Sequence, residues 1–217
     1  MKEIINLIYE PLLETLFMVS LSSIFGFILG FPLGIILFIT GKNGLLENLK
    51  LNSALDFIVN IGRSFPFIIL MLILSPLSKF IVGTSIGNTA TIVPLSIAAA
   101  PFIARVVESA LKEVNYGVIE ASLSMGATTR QIIFKVLVPE AMPSLVLGMT
   151  LTIINLIGYS AIAGAIGAGG LGYLAIRYGY YGFDAQVMLI AVVAIIILVQ
   201  GVQSLGNKIA FKLLENR

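Results

Sequence analysis

The chain has 217 residues, of which 58% are hydrophobic and 11% charged, against about 25% charged in an average soluble domain; its mean hydropathy is +1.05. A chain this short leaves a large share of its surface in solvent when folded, so that solvent must be mostly lipid, which excludes soluble enzymes, nucleic-acid binders and disordered adaptors. Thirteen basic and eleven acidic residues nearly cancel, and the lack of cysteine and histidine argues against disulfides, thiolate chemistry, histidine-based catalysis and most metal centres.

Uncharged runs measure the spans. Twenty-seven residues separate Glu14 from Lys42, 25 separate Lys79 from Arg105, and 23 separate Asp184 from Lys208. The run from Ala141 to Ile176 is 36 long, and Ser64–Ser78, only 15 long, reaches span length if Phe57–Ile61 join it. Since a helix needs roughly 20 residues to cross the hydrocarbon, five transmembrane helices are predicted at about Thr15–Ile39, Phe57–Leu77, Asn88–Val107, Ser144–Ile166 and Val187–Gly206. The fold expected is an all-α membrane protein forming a single transmembrane domain over 1–217, with its core at about 12–207.

Glu3, Glu10 and Glu14 dilute any basic leader around Lys2, and no small-residue cleavage site follows, so the first helix is expected to be an uncleaved span. Within it Gly26, Gly30 and Gly34 form a small-xxx-small register that predicts close helix packing inside the subunit. Pro94 and Pro101 are expected to bend the third helix. Five spans place Lys42, Lys50, Arg63, Arg105, Lys112, Arg130, Lys135, Lys208, Lys212 and Arg217 on one side, with Lys2, Lys79 and Arg177 on the other. That bias puts the N-terminus outside and the C-terminus in the cytoplasm, together with the segment between helices three and four.

Arg105–Glu140 carries mixed charge and is too polar to cross a bilayer. Asn115 can cap a short helix over about Tyr116–Met125, with Gly126 as a left-handed stop. Thr128 and Gln131 have capping-box spacing for a second helix, expected to end near Pro139. A ten-residue amphipathic helix is unstable alone, so it either docks on another surface or lies on lipid headgroups.

Two later segments invite other readings. Gly167-Ala168-Gly169-Gly170-Leu171-Gly172 fits Gly-x-Gly-x-x-Gly, but a membrane helix precedes it and Asp184 comes too early for a ribose-binding acid, so a tight outer loop is expected instead of a nucleotide site. No Gly-x-x-x-x-Gly-Lys-Ser/Thr loop occurs. Tyr173, Tyr178, Tyr180 and Tyr181 crowd beyond the glycines and read as a headgroup-level anchor. The spans are nearly empty of ionisable groups, which counts against a secondary transporter or channel, and no nucleophile–base pair suggests an intramembrane enzyme.

Glu120-Ala121-Ser122, three residues, Gly126, nine residues, then Val136-Leu137-Val138-Pro139 resembles the EAA loop of ABC importer permeases, with Ser122 for Ala, Val136 for Ile and Val138 for Leu as departures. Gly83–Gly87, Ile92–Leu95, Ala99–Arg105, Gly158–Ala161 and the Gly164–Gly172 run resemble the permease subunits of methionine ABC importers. The resemblance implies that the short helix, within a coupling segment of about 116–139, docks on a separate cytoplasmic ATPase through Glu120, Ala121, Ser122, Gly126, Ala127 and Thr128. It further implies that Tyr159, Ser160 and Ile162 line the pathway, with Ile162 as a hydrophobic gate; ordinary helix packing is the competing reading. The implied assembly is a homodimer with two ATPase chains and an extracytoplasmic methionine-binding protein or lipoprotein that the tyrosine segment, Arg177 and Asp184 could meet. It would sit in a bacterial inner membrane, with no catalytic residues, cofactor or metal of its own, since ATP is used by the partner.

Overall fold

The computed structural model describes residues 2–215, with side chains from residue 7 onward. Arg217, counted above with the basic side, lies outside the described residues, as do the side chains of Lys2 and Glu3. All regular structure among the described residues is helical. Four helices are long and apolar enough to cross a membrane, or five if one bent pair counts as a span.

Helix α1, Lys2–Thr40, starts thirteen residues before the predicted Thr15. The chain then turns through 41–48, and the Asn48 side chain caps α2, Leu49–Ser64, by accepting from Leu51 N at 3.1 Å. Asn52 Nδ2 ties α2 back to the end of α1, donating to Leu37 O at 2.7 Å and to Thr40 Oγ1 at 3.2 Å.

The predicted span Phe57–Leu77 is not one helix. It is split between α2 and α3, Phe67–Val82, which meet at 105°. The cause is Pro66, whose ring disfavours helical backbone in the residue before it; Phe65 and Pro66 take ψ of 126° and 124°, and α3 restarts with Pro66 as its N-cap. Each half has 16 residues, about 24 Å of helix, against a hydrocarbon core of about 30 Å. Apolar run length could not reveal this break.

Helix α4, Asn88–Lys112, continues through Pro94 and Pro101 and is the most buried element, with Leu95, Ile103, Ala104, Val107 and Leu111 wholly inaccessible. α1 lies against it through the three glycines. A Cβ at Gly26 would stand 2.6 Å from Ala99 Cβ, one at Gly30 2.5 Å from Ala100 O, and one at Gly34 2.5 Å from Ala104 O. The two backbones therefore approach as the small-residue register predicts, inside one subunit.

After α5 (Tyr116–Ser124), α6 (Thr129–Ile132) passes through a π-helical turn, Ile133–Leu137, into α7, Val138–Gly164. Thr129–Gly164 is thus one helix of 36 residues, whereas a stop near Pro139 was expected. The wider turn lies directly before Pro139, which has no N–H and cannot take a regular i−4 bond. Helix α7 packs on α4 where Gly148 meets Val106, and on α9 (Ala185–Glu215) where Gly206 meets Thr150.

The glycine-rich loop is also shorter than predicted. Gly170 already begins α8, Gly170–Tyr173, which a π-helical stretch extends through Leu174–Tyr180. Its first turn is held by α1: Gly170 N donates to Glu14 Oε2 at 2.6 Å and Leu171 N to Thr15 Oγ1 at 2.9 Å. Apart from Ala191, Gly206 and Ala210, α9 buries little, and Leu189, Ile197 and Leu205 are largely exposed.

The α1–α4 contact is the tightest test of this packing. Gly34→Ala is expected to cost about 1–3 kcal/mol by overpacking and to lower the thermal midpoint of the purified protein. Gly201→Ala, where a new Cβ meets nothing within 4 Å, should leave that midpoint unchanged or raise it. Equal midpoints for the two variants would contradict the close approach.

Candidate functional site

The segment expected to couple to a partner follows the end of α4. Asn115 Oδ1 accepts from Gly117 N at 2.8 Å and starts α5. Ile119 and Ser122, one turn apart, are buried against the bundle, and the Ser122 hydroxyl donates to Val118 O at 2.7 Å. Glu120, Ala121, Leu123 and Met125 point away, with Met125 79% exposed. Ser122, grouped with the docking residues above, is therefore on the inward face of the helix, where a small side chain lets α5 lie close to its own subunit. The five other predicted docking residues, Glu120, Ala121, Gly126, Ala127 and Thr128, are exposed or half-exposed.

Gly126 ends α5 at φ +76° with open space around it. Its N–H reaches Leu123 O at 2.9 Å, and Ala127 N reaches Ser122 O at 3.1 Å. Both halves of the capping box form: Thr128 N donates to Gln131 Oε1 at 2.8 Å and Gln131 N to Thr128 Oγ1 at 3.4 Å. The 36-residue helix that follows is about 54 Å long. α5 is thus joined by short links to α4 on one side and to this long helix on the other.

A charged network missed in the sequence lies on α2 and α4. Arg105 Nη1 donates to Glu108 Oε2 and Nη2 to Asp56 Oδ1, both at 2.6 Å, and Nη2 also reaches Asn60 Oδ1 at 2.9 Å. Lys112 Nζ meets Glu108 Oε1 at 2.6 Å, and Glu108 is only 5% exposed. The spacing of Arg105, Glu108 and Lys112 puts them on one helix face, a signal that was available. Their link to Asp56 was not, because it depends on how α2 folds back.

The three predicted pathway residues separate. Ser160 is 2% exposed and donates to Ile157 O at 2.8 Å, so it faces the subunit interior. Tyr159 stacks on Phe67 of α3, ring centroids 4.7 Å apart and planes 9° from parallel. Ile162 is 40% exposed. It continues a stripe of exposed positions on α7, Leu151, Asn155 and Gly158, at alternating spacings of four and three. Among the described residues no cluster of acidic residues could hold a metal ion.

A family described as the inner membrane component of binding-protein-dependent transport systems matches residues 30–206. A probable D-methionine transport system permease protein, MetI, of Vibrio cholerae is 56% identical over 194 residues, 89% of this chain and 86% of the relative. The methionine import system permease protein MetP of Bacillus subtilis is 52% identical over 174 residues, 80% and 78% of the two chains. Two structures described as inward facing conformations of the MetNI methionine ABC transporter also match. One has TM-score 0.95 at 48% identity, covering 98% of this chain and 99% of that one; the other has 0.91 at 51%, covering 92% and 93%.

The geometry of the segment makes its two hinges separable from the rest. Thr128→Ala removes a cap worth about 1 kcal/mol, and Gly126→Val forces a branched side chain into left-handed backbone. Both should speed amide hydrogen exchange over 116–132 and leave α9 unaffected, whereas Gly126→Asn, which tolerates that backbone, should not. Unchanged exchange in Gly126→Val would contradict the observed termination.

Proposed function

The chain belongs to the family of binding-protein-dependent transport system inner membrane components, and on that premise we propose that it is the membrane-spanning permease subunit of an ATP-driven importer of methionine. The observation that carries this reading is the short projecting helix α5, joined through two capped turns to a helix long enough to cross the bilayer, in a chain about half identical to methionine permeases over most of its length. The chain is a permease and not an enzyme. Another amino acid or small solute is the alternative cargo, while D- and L-methionine are favoured by the names its relatives carry.

In the proposed assembly two copies of the chain form the conduit, and two cytoplasmic ABC ATPase subunits receive the two α5 helices. The ten-to-three bias of basic residues supports a cytoplasmic α5 and an external N-terminus. The exposed side of α5 offers Leu123 and Met125 as apolar contacts beside Glu120, a combination suited to a groove on another protein. Because α5 is tied to both α4 and the long helix, movement of the ATPase reaches both flanks of the pathway together. Exposed Ile162, with Tyr159 fixed by its stack on Phe67, would close the conduit by excluding water. An extracytoplasmic methionine-binding protein delivers the solute to the outer face, where the exposed Tyr178, Tyr180 and Tyr181 meet it or the headgroups of a bacterial inner membrane.

The test is uptake of labelled methionine by the complete complex in vesicles. Uptake should require ATP and survive collapse of ion gradients, and it should fall steeply with Gly126→Val, which misdirects α5. Ile162→Gly should raise leak or ATP hydrolysis without uptake. Uptake that stops when gradients collapse in the presence of ATP, or that proceeds without the ATPase, would overturn the proposal.

A further inference from the structure

A cleft with both polar and apolar lining lies between the end of α2, the second half of α4 and the exposed stripe of α7. Its volume is about 290 Å³, and Arg63, Phe102, Arg105, Val106, Leu151 and Asn155 are among the residues lining it. Arg63 is the unusual member. Its guanidinium carbon lies 5.4 Å from the centre of the Phe102 ring, and it takes part in no ion pair among the described residues. Arg105, by contrast, is paired with Asp56 and Glu108, although its buried Nε–H has no acceptor among the described residues. The one acidic lining residue, Glu113, is hydrogen-bonded to Ser144. It lies eleven residues beyond Phe102 on α4, about 16 Å along the helix, too far to compensate Arg63.

Arg63 lies on the basic side of the bundle, and a cation without an acidic partner that faces a cleft between membrane helices marks a functional pathway by default. Here the surroundings say what would compensate it. Phe102, which lies under the cation, and Val106 and Leu151 give the same cleft an apolar part, and exposed Asn155 has a side-chain amide with no hydrogen-bond partner among the described residues. Further along the same stripe, seven residues past Asn155, Ile162 stands about 10 Å away. The fold matches structures described as inward facing, a state in which such a cleft opens on the cytoplasmic side of the gate.

From these placements we infer that the cleft is a transient binding site for the transported amino acid, with Arg63 holding its carboxylate and Phe102, Val106 and Leu151 its apolar side chain. Asn155 accepts from the ammonium group through its amide oxygen. The site rests on the importer reading above and deepens it: the membrane subunit contributes its own selection for an α-carboxylate with an uncharged, apolar side chain. Arg63 is more than a snorkelling anchor, because its charge lies over an aromatic ring inside the cleft, and Arg63→Lys keeps only part of its function, since ammonium cannot bind carboxylate through a bidentate fork.

The chain has no cysteine, so one introduced thiol reports one position. In the complete complex, reconstituted with its ATPase and binding protein, Leu151→Cys should react with a water-soluble thiol reagent, while Ile197→Cys on the exposed face of α9 should not. Methionine and its isostere norleucine, given without ATP, should slow the Leu151→Cys reaction. Arg63→Gln in the same background should raise the methionine concentration needed by about tenfold or more, the loss expected for a charge-assisted hydrogen bond, and Arg63→Lys should fall between. An inert Leu151→Cys in the assembled complex would mean that a second copy covers this face and would overturn the site. So would protection that is unaltered in Arg63→Gln. Failure of the unmodified complex to import methionine would overturn the importer reading itself, and is read in a separate uptake assay.

Discussion

The end of the molecule that carries α5 depends on the contact between α1 and α4, where three glycines let one backbone rest on the other. With Gly26, Gly30 and Gly34 facing Ala99, Ala100, Ile103, Ala104 and Val107, α1 places no side chain of its own in the contact at these positions. In lipid there is little hydrophobic drive between helices, so such van der Waals contact is the main source of cohesion. It makes α4 a fixed post, buried along most of its length, and α5 hangs from the end of that post. α5 is therefore attached to a stiff element.

The long helix on the other side of α5 is continuous for a less obvious reason. A proline at position 139 would ordinarily stop or kink a helix, and the π-helical turn at Ile133–Leu137 absorbs it. The long helix from Thr129 to Gly164 thus connects the capping box beside α5 to Ile162 near its far end. The Asp56–Arg105–Glu108–Lys112 network binds α2 to α4 at the same end of the bundle. Residues of α2, α4 and α7 line one cleft, with Arg63 at the α2 side of it.

The exposed surfaces divide along the same lines. Helix α9 presents Leu189, Ile197 and Leu205 outward, a face suited to lipid. The α7 stripe instead sets Asn155 and Gly158 between Leu151 and Ile162, a mixture that acyl chains would not favour. Polar groups at membrane depth belong where water or a solute reaches them, and the cleft beside that stripe is where a solute pathway is expected.

Much of this was determined by local order in the sequence. The number of apolar runs, the small-residue register, the Asn115 and Thr128 caps and the left-handed stop at Gly126 are set by residues within a few positions of one another. So is the spacing of the EAA-like segment. Three features were decided only by tertiary structure. Hydropathy showed enough apolar residues for a second span, but the consequence of Pro66 was a 105° turn between two halves that run length cannot register. Ser122 and Ser160 carry no mark of which way they face; they turn inward because neighbouring helices cover them. The pairing of Arg105 with Asp56, 49 positions apart, and the lack of any such partner for Arg63 among the described residues follow from α2 folding back against α4, since an ion pair depends on distance in space and not along the chain.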